Sequence, residues 1–487
     1  MADTMPVKEI RCALRKSLPA TQPSLVSGST MIPFTYMPSS HARALEPDRV
    51  LVEGMRGAGK SWWWRALADE NHRKFVSEAF PEAGLNRKIE VKAGFGVPEP
   101  GKNDTFPDKD TLSKLATQFD PRQIWRTVLA QNIGFTHPYP SCAGTWSERV
   151  KWVNDSPEEY NALLNAADDR YTKDDGCFIL IFDALDLLAG TWKEIRPLAK
   201  ALFQFAMDIT YRRSIRFKLF VRPDMMEDPE ILAFPDSSKL RSQNASLEWR
   251  KVDLYALMFQ CIGNDHDNGA VIRQWMANRF GAQWTEGPQQ IWLIPDKLKL
   301  DETLQREVFH SIAGKYMGPG ESGYKRGFPY SWLTNHLGDT NGQISPRTFA
   351  AALRSAAEKT PDTDPNPVNY KSIKQGVQGA SEIRVNEIKE DYPWVKEAME
   401  PLKKIVIPCE PDTIINRWKE QGAIERIRDN TTQKLAPLHL ENGAEGVLED
   451  LEKLKIIEEL SNGRIQMPDI YRIAFGMGRR GGVKPVR

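Results

Sequence analysis

Eight consecutive residues, Gly54-Met55-Arg56-Gly57-Ala58-Gly59-Lys60-Ser61, satisfy the pattern G-x-x-x-x-G-K-[ST] directly after the apolar run Val50-Leu51-Val52. Glycines at those spacings let the main chain curl until several N–H groups converge, which is the arrangement a phosphate needs. Lys60 adds a point charge for β- and γ-phosphates, and Ser61 a hydroxyl for Mg²⁺. The run before the loop reads as a buried strand. Ser61-Trp62-Trp63-Trp64-Arg65-Ala66-Leu67-Ala68, free of glycine and proline, reads as a helix whose N-terminus faces the phosphates. The expected ligands are a nucleotide and Mg²⁺, with Gly54, Arg56, Gly57, Ala58, Gly59, Lys60, Ser61 and Trp62 as the contact set. The tryptophan trio itself is better explained by packing, since a helix lying on a sheet can bury two of three.

A second apolar run, Cys177-Phe178-Ile179-Leu180-Ile181-Phe182, ends in Asp183. This is the Walker B pattern: the strand would carry Asp183 to the carboxyl edge of the sheet, where Ser61 and a carboxylate can share a magnesium ion. Asp186 can be read as the group ordering an attacking water, or as a first-turn acid on a helix over 187–201; both readings stay open. A third strand, Phe217-Lys-Leu219-Phe220-Val221, ends in Arg222-Pro223-Asp224. Arg222 is placed to sense a γ-phosphate, the alternative being a strand-end arginine paired with Asp224. Ser345-Pro346-Arg347 opens a further helix, and an arginine in a first turn opposes the helix dipole unless it has a partner, either a phosphate or a carboxylate such as Asp339.

Composition narrows the class without naming partners. A chain of 487 residues suggests about three structural units, and 40% hydrophobic with 27% charged residues belongs with globular proteins. A net charge of +1 gives no whole-chain signal for nucleic acid or anionic membrane. Five scattered cysteines, none in a C-x-x-C pair, argue against a zinc site or disulfide framework and suit a reducing cytoplasm. No stretch has the length of a signal peptide's apolar core or a membrane span, so membrane partners are not expected.

Along the chain, residues 1–45 read as an N-terminal arm with partial mobility, containing one short amphipathic stretch at 10–18. The Gly/Pro/Lys-rich stretch between Phe80 and Asp120, including Gly94-Phe-Gly96 and residues 98–104, reads as loops. Asp120-Pro121 opens a helix over 122–133. The run Pro361-Asp-Thr-Asp-Pro365-Asn-Pro367 marks a boundary, followed by helices near 370–379 and 386–402. From Asp412, helices at 413–420 and 445–454 precede two strand-like runs around Asn462-Gly463, a hairpin signal; helices followed by a hairpin suggest a winged helix. Acidic residues before that wing favour protein contact. Arg472, Arg479, Arg480, Lys484 and Arg487, set among glycines, read as a basic flexible tail able to contact DNA or RNA, or as a solvated terminus.

With these pieces placed, residues 47–358 resemble prokaryotic AAA+-related P-loop ATPases of the STAND and KAP-like kind. The likeness is carried by the loop at 54–61, the strand at 178–186 and Leu219-Phe220-Val221-Arg222-Pro223-Asp224, and more weakly by Phe234-Pro-Asp236, Leu247-Glu-Trp249 and Phe328-Pro-Tyr-Ser-Trp332. It implies an α/β fold: a P-loop αβα parallel-sheet core at 46–250, a helical lid at 251–410 and the winged-helix-like end at 411–487. It also implies ATP with Mg²⁺ as the ligand and catalytic roles for Lys60, Asp183, Asp186, a sensor Arg222 and a lid Arg347, with Ser61 and Asp183 on the metal. Many relatives place a glutamate directly after the Walker B aspartate; here that residue is Ala184, so slow hydrolysis and a switch are expected. The resemblance further implies a homo-oligomer controlling a separate effector, in antiphage defence or regulation. The other readings are a nucleic-acid regulator using ATP as a structural ligand and a P-loop kinase, the latter disfavoured by the long lid-like region.

Overall fold

The computed structural model describes residues 4–18, 31–97, 105–133, 144–430, 436–480 and 483–485. These fall into two compact units. One combines the N-terminal residues up to 26 with 33–36 and 249–487; the other comprises 27–32 and 37–248. Among the described residues no helix is long and apolar enough to cross a membrane.

The unit built mainly from 37–248 is an α/β layer structure around a five-stranded sheet: β1 (Leu51–Glu53), β2 (Lys88–Phe95), β3 (Gly176–Phe182), β4 (Ile215–Val221) and β5 (Asn244–Ser246). Their order is β2-β3-β4-β1-β5, every neighbouring pair is parallel, and the registers include Leu180↔Phe217 and Val52↔Phe220. The continuous apolar run of β3 is what a strand covered on both faces requires, and Phe178 through Phe182 are completely buried. Helix Trp192–Ile209 covers one face, started by a reciprocal cap between Thr191 and Glu194. Helix Pro121–Asn132 packs beside it: the Trp125 indole donates to the Leu198 carbonyl at 2.9 Å and meets the Phe182 ring edge-on at 5.8 Å.

Two expectations need correction in this unit. Part of the stretch between Phe80 and Asp120 is regular: Lys88–Phe95 is an edge strand and Lys109–Gln118 a helix. The glycines that suggested a loop are demanded by packing. A Cβ on Gly94 would lie 2.5 Å from the Phe182 ring, and one on Gly96 would lie 2.5 Å from the Trp64 indole. Residues 98–104 lie outside the described residues. The helix after Walker B begins at Trp192, not near Leu187; Asp186 sits in a separate short turn, Leu185–Leu187, so it caps no long helix.

The other unit is mainly helical. The N-terminal helix Val7–Lys16 belongs to its core rather than to a loose arm: Ile10, Ala13 and Leu14 are fully buried. Buried Arg11 explains the packing. Its guanidinium donates to the carbonyls of Pro367 (3.0 Å), Asp364 (3.0 Å) and Asn366 (2.7 Å). The proline-rich run at 361–367, expected as a boundary, is thereby a fastened turn between helices Pro346–Lys359 and Tyr370–Asp391. The second of these is one continuous helix of 22 residues, and Gly376 lets it approach closely, since a Cβ there would stand 2.2 Å from the Ala352 carbonyl. The Ser/Pro/Thr-rich residues 19–30 lie outside the described residues.

Toward the C-terminus, helices Pro411–Gln421, Ala423–Asn430 and Gly443–Lys453 precede a hairpin, Glu458–Glu459 with Ile465–Gln466. Gly463, at φ 78°, turns it, and Cys409 bridges to Ile465 on the far side. The segment after the hairpin is not a flexible basic tail among the described residues. Arg472 is fully buried, bonded to Asp469 (2.6 Å) and to the carbonyls of Met477 (2.9 Å) and Val483 (2.7 Å). Gly478 donates to the Ile405 carbonyl at 2.7 Å. Residues 481–482 and Arg487 lie outside the described residues.

Candidate functional site

The carboxyl ends of three adjacent parallel strands, β1, β4 and β3, converge on one group of side chains. After β1 the chain passes through Gly54 into a turn closed by Ala58 N–H to the Met55 carbonyl (3.1 Å). Gly57 at φ 81° and Gly59 at φ 106° adopt the left-handed region that a side chain would penalise, and helix Lys60–Ala68 starts immediately. Space above Gly59 is open, with no atom within 4 Å of where a Cβ would stand. Gly54 is enclosed instead, a Cβ there falling 3.2–3.3 Å from Ala58, Leu247 and Lys60. The first-turn N–H groups of such a helix have no intrahelical acceptors.

Lys60 folds back along the loop, its ammonium donating to the Gly54 carbonyl (2.6 Å) and the Met55 carbonyl (3.1 Å). Burial, with the Arg222 charge, pulls its pKa down to about 8 against the opposing pull of Asp183, Asp186 and Asp224. Asp183, at the end of β3, is 2% exposed. Burial pushes its carboxyl up, while a hydrogen bond from the Ser61 hydroxyl and the charge of Lys60 hold it down. The structure therefore brings Lys60, Ser61 and Asp183 together. Arg222, at the end of β4, forks onto Asp224 at 3.1 and 2.8 Å and reaches Asp186 at 3.3 Å. Its carboxylate partners are thus both the one expected as an alternative and one expected as catalytic.

Ser61 and Asp183 are hard oxygen donors whose side chains interact, the chemistry a magnesium ion takes. Together with the open concave loop and the ammonium beside it, they fit a magnesium-bound nucleoside phosphate. Arg56 lies on the loop, partly exposed. Trp62 is also partly exposed and meets His72 edge-on at 6.2 Å, whereas Trp63 and Trp64 are buried, bonded to His41 (3.1 Å) and the Ile181 carbonyl (3.4 Å). Ala184, beside Asp183, sits at φ 55°.

No protein-family model matches the chain, and no curated protein sequence matches it. Among solved structures it is similar to the ORC2 protein of Aeropyrum pernix, determined as ADPNP–ADP complexes, at 12% identity over 94% of this chain and 93% of that one, with a TM-score of 0.30. A likeness of that grade assigns neither family nor function.

Arg347 lies in the other unit, in the first turn of helix Pro346–Lys359, where its partner is Glu387 at 2.8 Å rather than Asp339. Sequence reasoning missed Lys218. It stands in the middle of β4, fully buried, and its ammonium donates to the carbonyls of Ala44 (2.7 Å), Glu46 (2.9 Å) and Arg49 (2.8 Å). A lysine within the otherwise apolar run Phe217-Lys-Leu-Phe was the available signal, since a buried ammonium needs a set of acceptors.

Proposed function

We propose that this chain binds Mg-ATP on the loop at 54–61 and hydrolyses it slowly, as an AAA+-related switch. The observation that carries the reading is the meeting of Lys60, Ser61 and Asp183 beneath a loop whose Gly57 and Gly59 are held at positive φ. Gly59 and the helix N-terminus would present N–H groups to the phosphates, Lys60 would exchange its loop carbonyls for phosphate oxygens, and Ser61 with Asp183 would hold the metal. The ion, when bound, supplies neutralisation of phosphate charge. Arg222 would respond to the γ-phosphate by leaving Asp186, freeing that carboxylate to orient water. Arg347, with Glu387 as its resting partner, is the proposed lid arginine.

Two features support slow turnover. The residue after Asp183 is Ala184, with no carboxylate to activate water, and Asp186 is engaged by Arg222. Turnover below about 1 s⁻¹ is expected, the low end of ordinary enzyme rates. Such a site suits a cytoplasmic switch whose nucleotide state governs self-association and a separate effector, and the STAND and KAP-like resemblance suggests antiphage defence as its setting. ATP binding and phosphate release by the protein and by Lys60→Ala, with mass followed in parallel, test this. Binding, slow Lys60-dependent release and a nucleotide-driven mass change are expected; equal nucleotide binding by both proteins would remove the reading.

A further inference from the structure

The mainly helical unit contains a cleft of about 400 Å³ between the first part of the loop at 314–328, residues 314–320, and the segment 364–371 that opens helix Tyr370–Asp391. The loop is glycine-rich yet tightly folded. Met317 is fully buried and donates to the Gly327 carbonyl at 2.9 Å, Gly327 donates to the Tyr324 carbonyl at 3.0 Å, and a Cβ on Gly323 would fall 2.5 Å from the Gly318 carbonyl. A loop ordered this way presents its side chains in fixed positions. Tyr324 and Phe328, 55% and 41% exposed, are on it, grouped around Tyr316 with ring centroids 6.4 and 5.6 Å from its own.

Cations stand beside the two rings that line the cleft, Tyr316 and Tyr370. Lys315 stands 5.3 Å from the Tyr316 ring, and Lys371 and Lys374 stand 6.0 and 5.7 Å from the Tyr370 ring. Lys325 and Arg326 complete the set, and none of the five is paired with a carboxylate among the described residues. Lys374 is held below the usual lysine range by burial and by the nearby charge of Arg326. The acidic residue lining the cleft, Asp364, is already engaged by the Asn366 N–H (3.0 Å) and the Asn369 side chain (2.7 Å).

We propose that single-stranded nucleic acid binds across this cleft and the ring cluster beside it, the cations taking the phosphates and Tyr324, with the part of Phe328 not stacked on His310, offering surface on which bases stack. An acidic peptide would use the charge but leave the exposed rings idle, and a duplex keeps its base faces covered; a single strand uses both. The site is independent of the loop at 54–61, so the two readings stand or fall separately.

The test uses the full chain without added nucleotide and follows fluorescence anisotropy of a labelled oligothymidylate, its same-length duplex and an oligoglutamate competitor. The Lys315→Ala/Arg326→Ala/Lys371→Ala variant is expected to weaken single-strand binding about tenfold or more and to flatten its log–log salt slope by about 2, at about 0.7 per phosphate contact. The Tyr324→Ala/Phe328→Ala variant should weaken binding about tenfold with the slope unchanged. The proposal is overturned by absence of single-strand binding at low salt or by wild-type binding in both variants. It is equally overturned by a duplex that binds as tightly as the single strand, or by oligoglutamate competing equally well.

Discussion

At the residue scale, Asp183 and Lys60 occupy positions that favour their neutral forms. Asp183 is raised by burial, so between its unfolded and folded pKa values the native state binds more protons than the unfolded one, and stability falls as pH rises through that window. Asp183→Asn is therefore expected to stabilise the ligand-free protein by about 1 kcal/mol at pH 7, the gain shrinking in acid, while Mg-ATP binding is lost; denaturant melts at both pH values check it. Lys60 behaves with the opposite sign: between about 8 and its unfolded value of 10.5, the unfolded chain binds more protons and stability rises with pH. Ala184 offers a gain-of-function test. Ala184→Glu supplies the carboxylate that the site lacks, and phosphate release is expected to rise at least about tenfold, since a placed general base contributes roughly 10²–10⁴. An unchanged rate would mean that water activation is not what limits turnover.

Among the elements, the strands explain why some glycines and one lysine cannot be exchanged. Gly94→Ala would press a Cβ into the Phe182 ring and is expected to cost about 1–3 kcal/mol, read as a lower denaturant midpoint with unchanged slope. Lys218 fastens the segment before β1 to β4 through three carbonyls. Lys218→Met would leave those acceptors unpaired in a buried place and is expected to cost about 1–3 kcal/mol, although it removes a charge that burial has pulled down to about 7. A more stable variant would show that desolvation of the ammonium outweighs its bonds. The difference between β3 and β2 shows what was legible from sequence. β3 announces itself as an unbroken apolar run, because both its faces are covered. β2 alternates Lys, Ile, Glu and Val at a sheet edge and ends in glycines required by rings from Phe182 and Trp64, far away in sequence, so its composition resembles a loop.

For the whole molecule, the notable fact is that one unit combines the first described helix with the residues after 249. Helix Val7–Lys16 packs with residues more than 240 positions later, and Arg11 holds the turn at 361–367. Deleting residues 1–18 is expected to lower the calorimetric transition of this unit by several degrees and leave that of the α/β unit in place. A simultaneous equal shift of both would show that the two unfold together. The local signals were sufficient for the turn at 54–61, the buried strand that ends at Asp183 and the hairpin at Gly463, since each depends on near neighbours in sequence: glycine φ values, an apolar run, a turn. They could not reveal that Arg222 holds Asp186, that Arg347 rests on Glu387, that Arg472 is buried, or that Lys315 and Tyr316 share one cleft with Tyr370 and Lys371. Those facts depend on which side chains the tertiary fold brings within a few ångströms, and on the burial that decides whether a charge is solvated, paired or left to find a ligand.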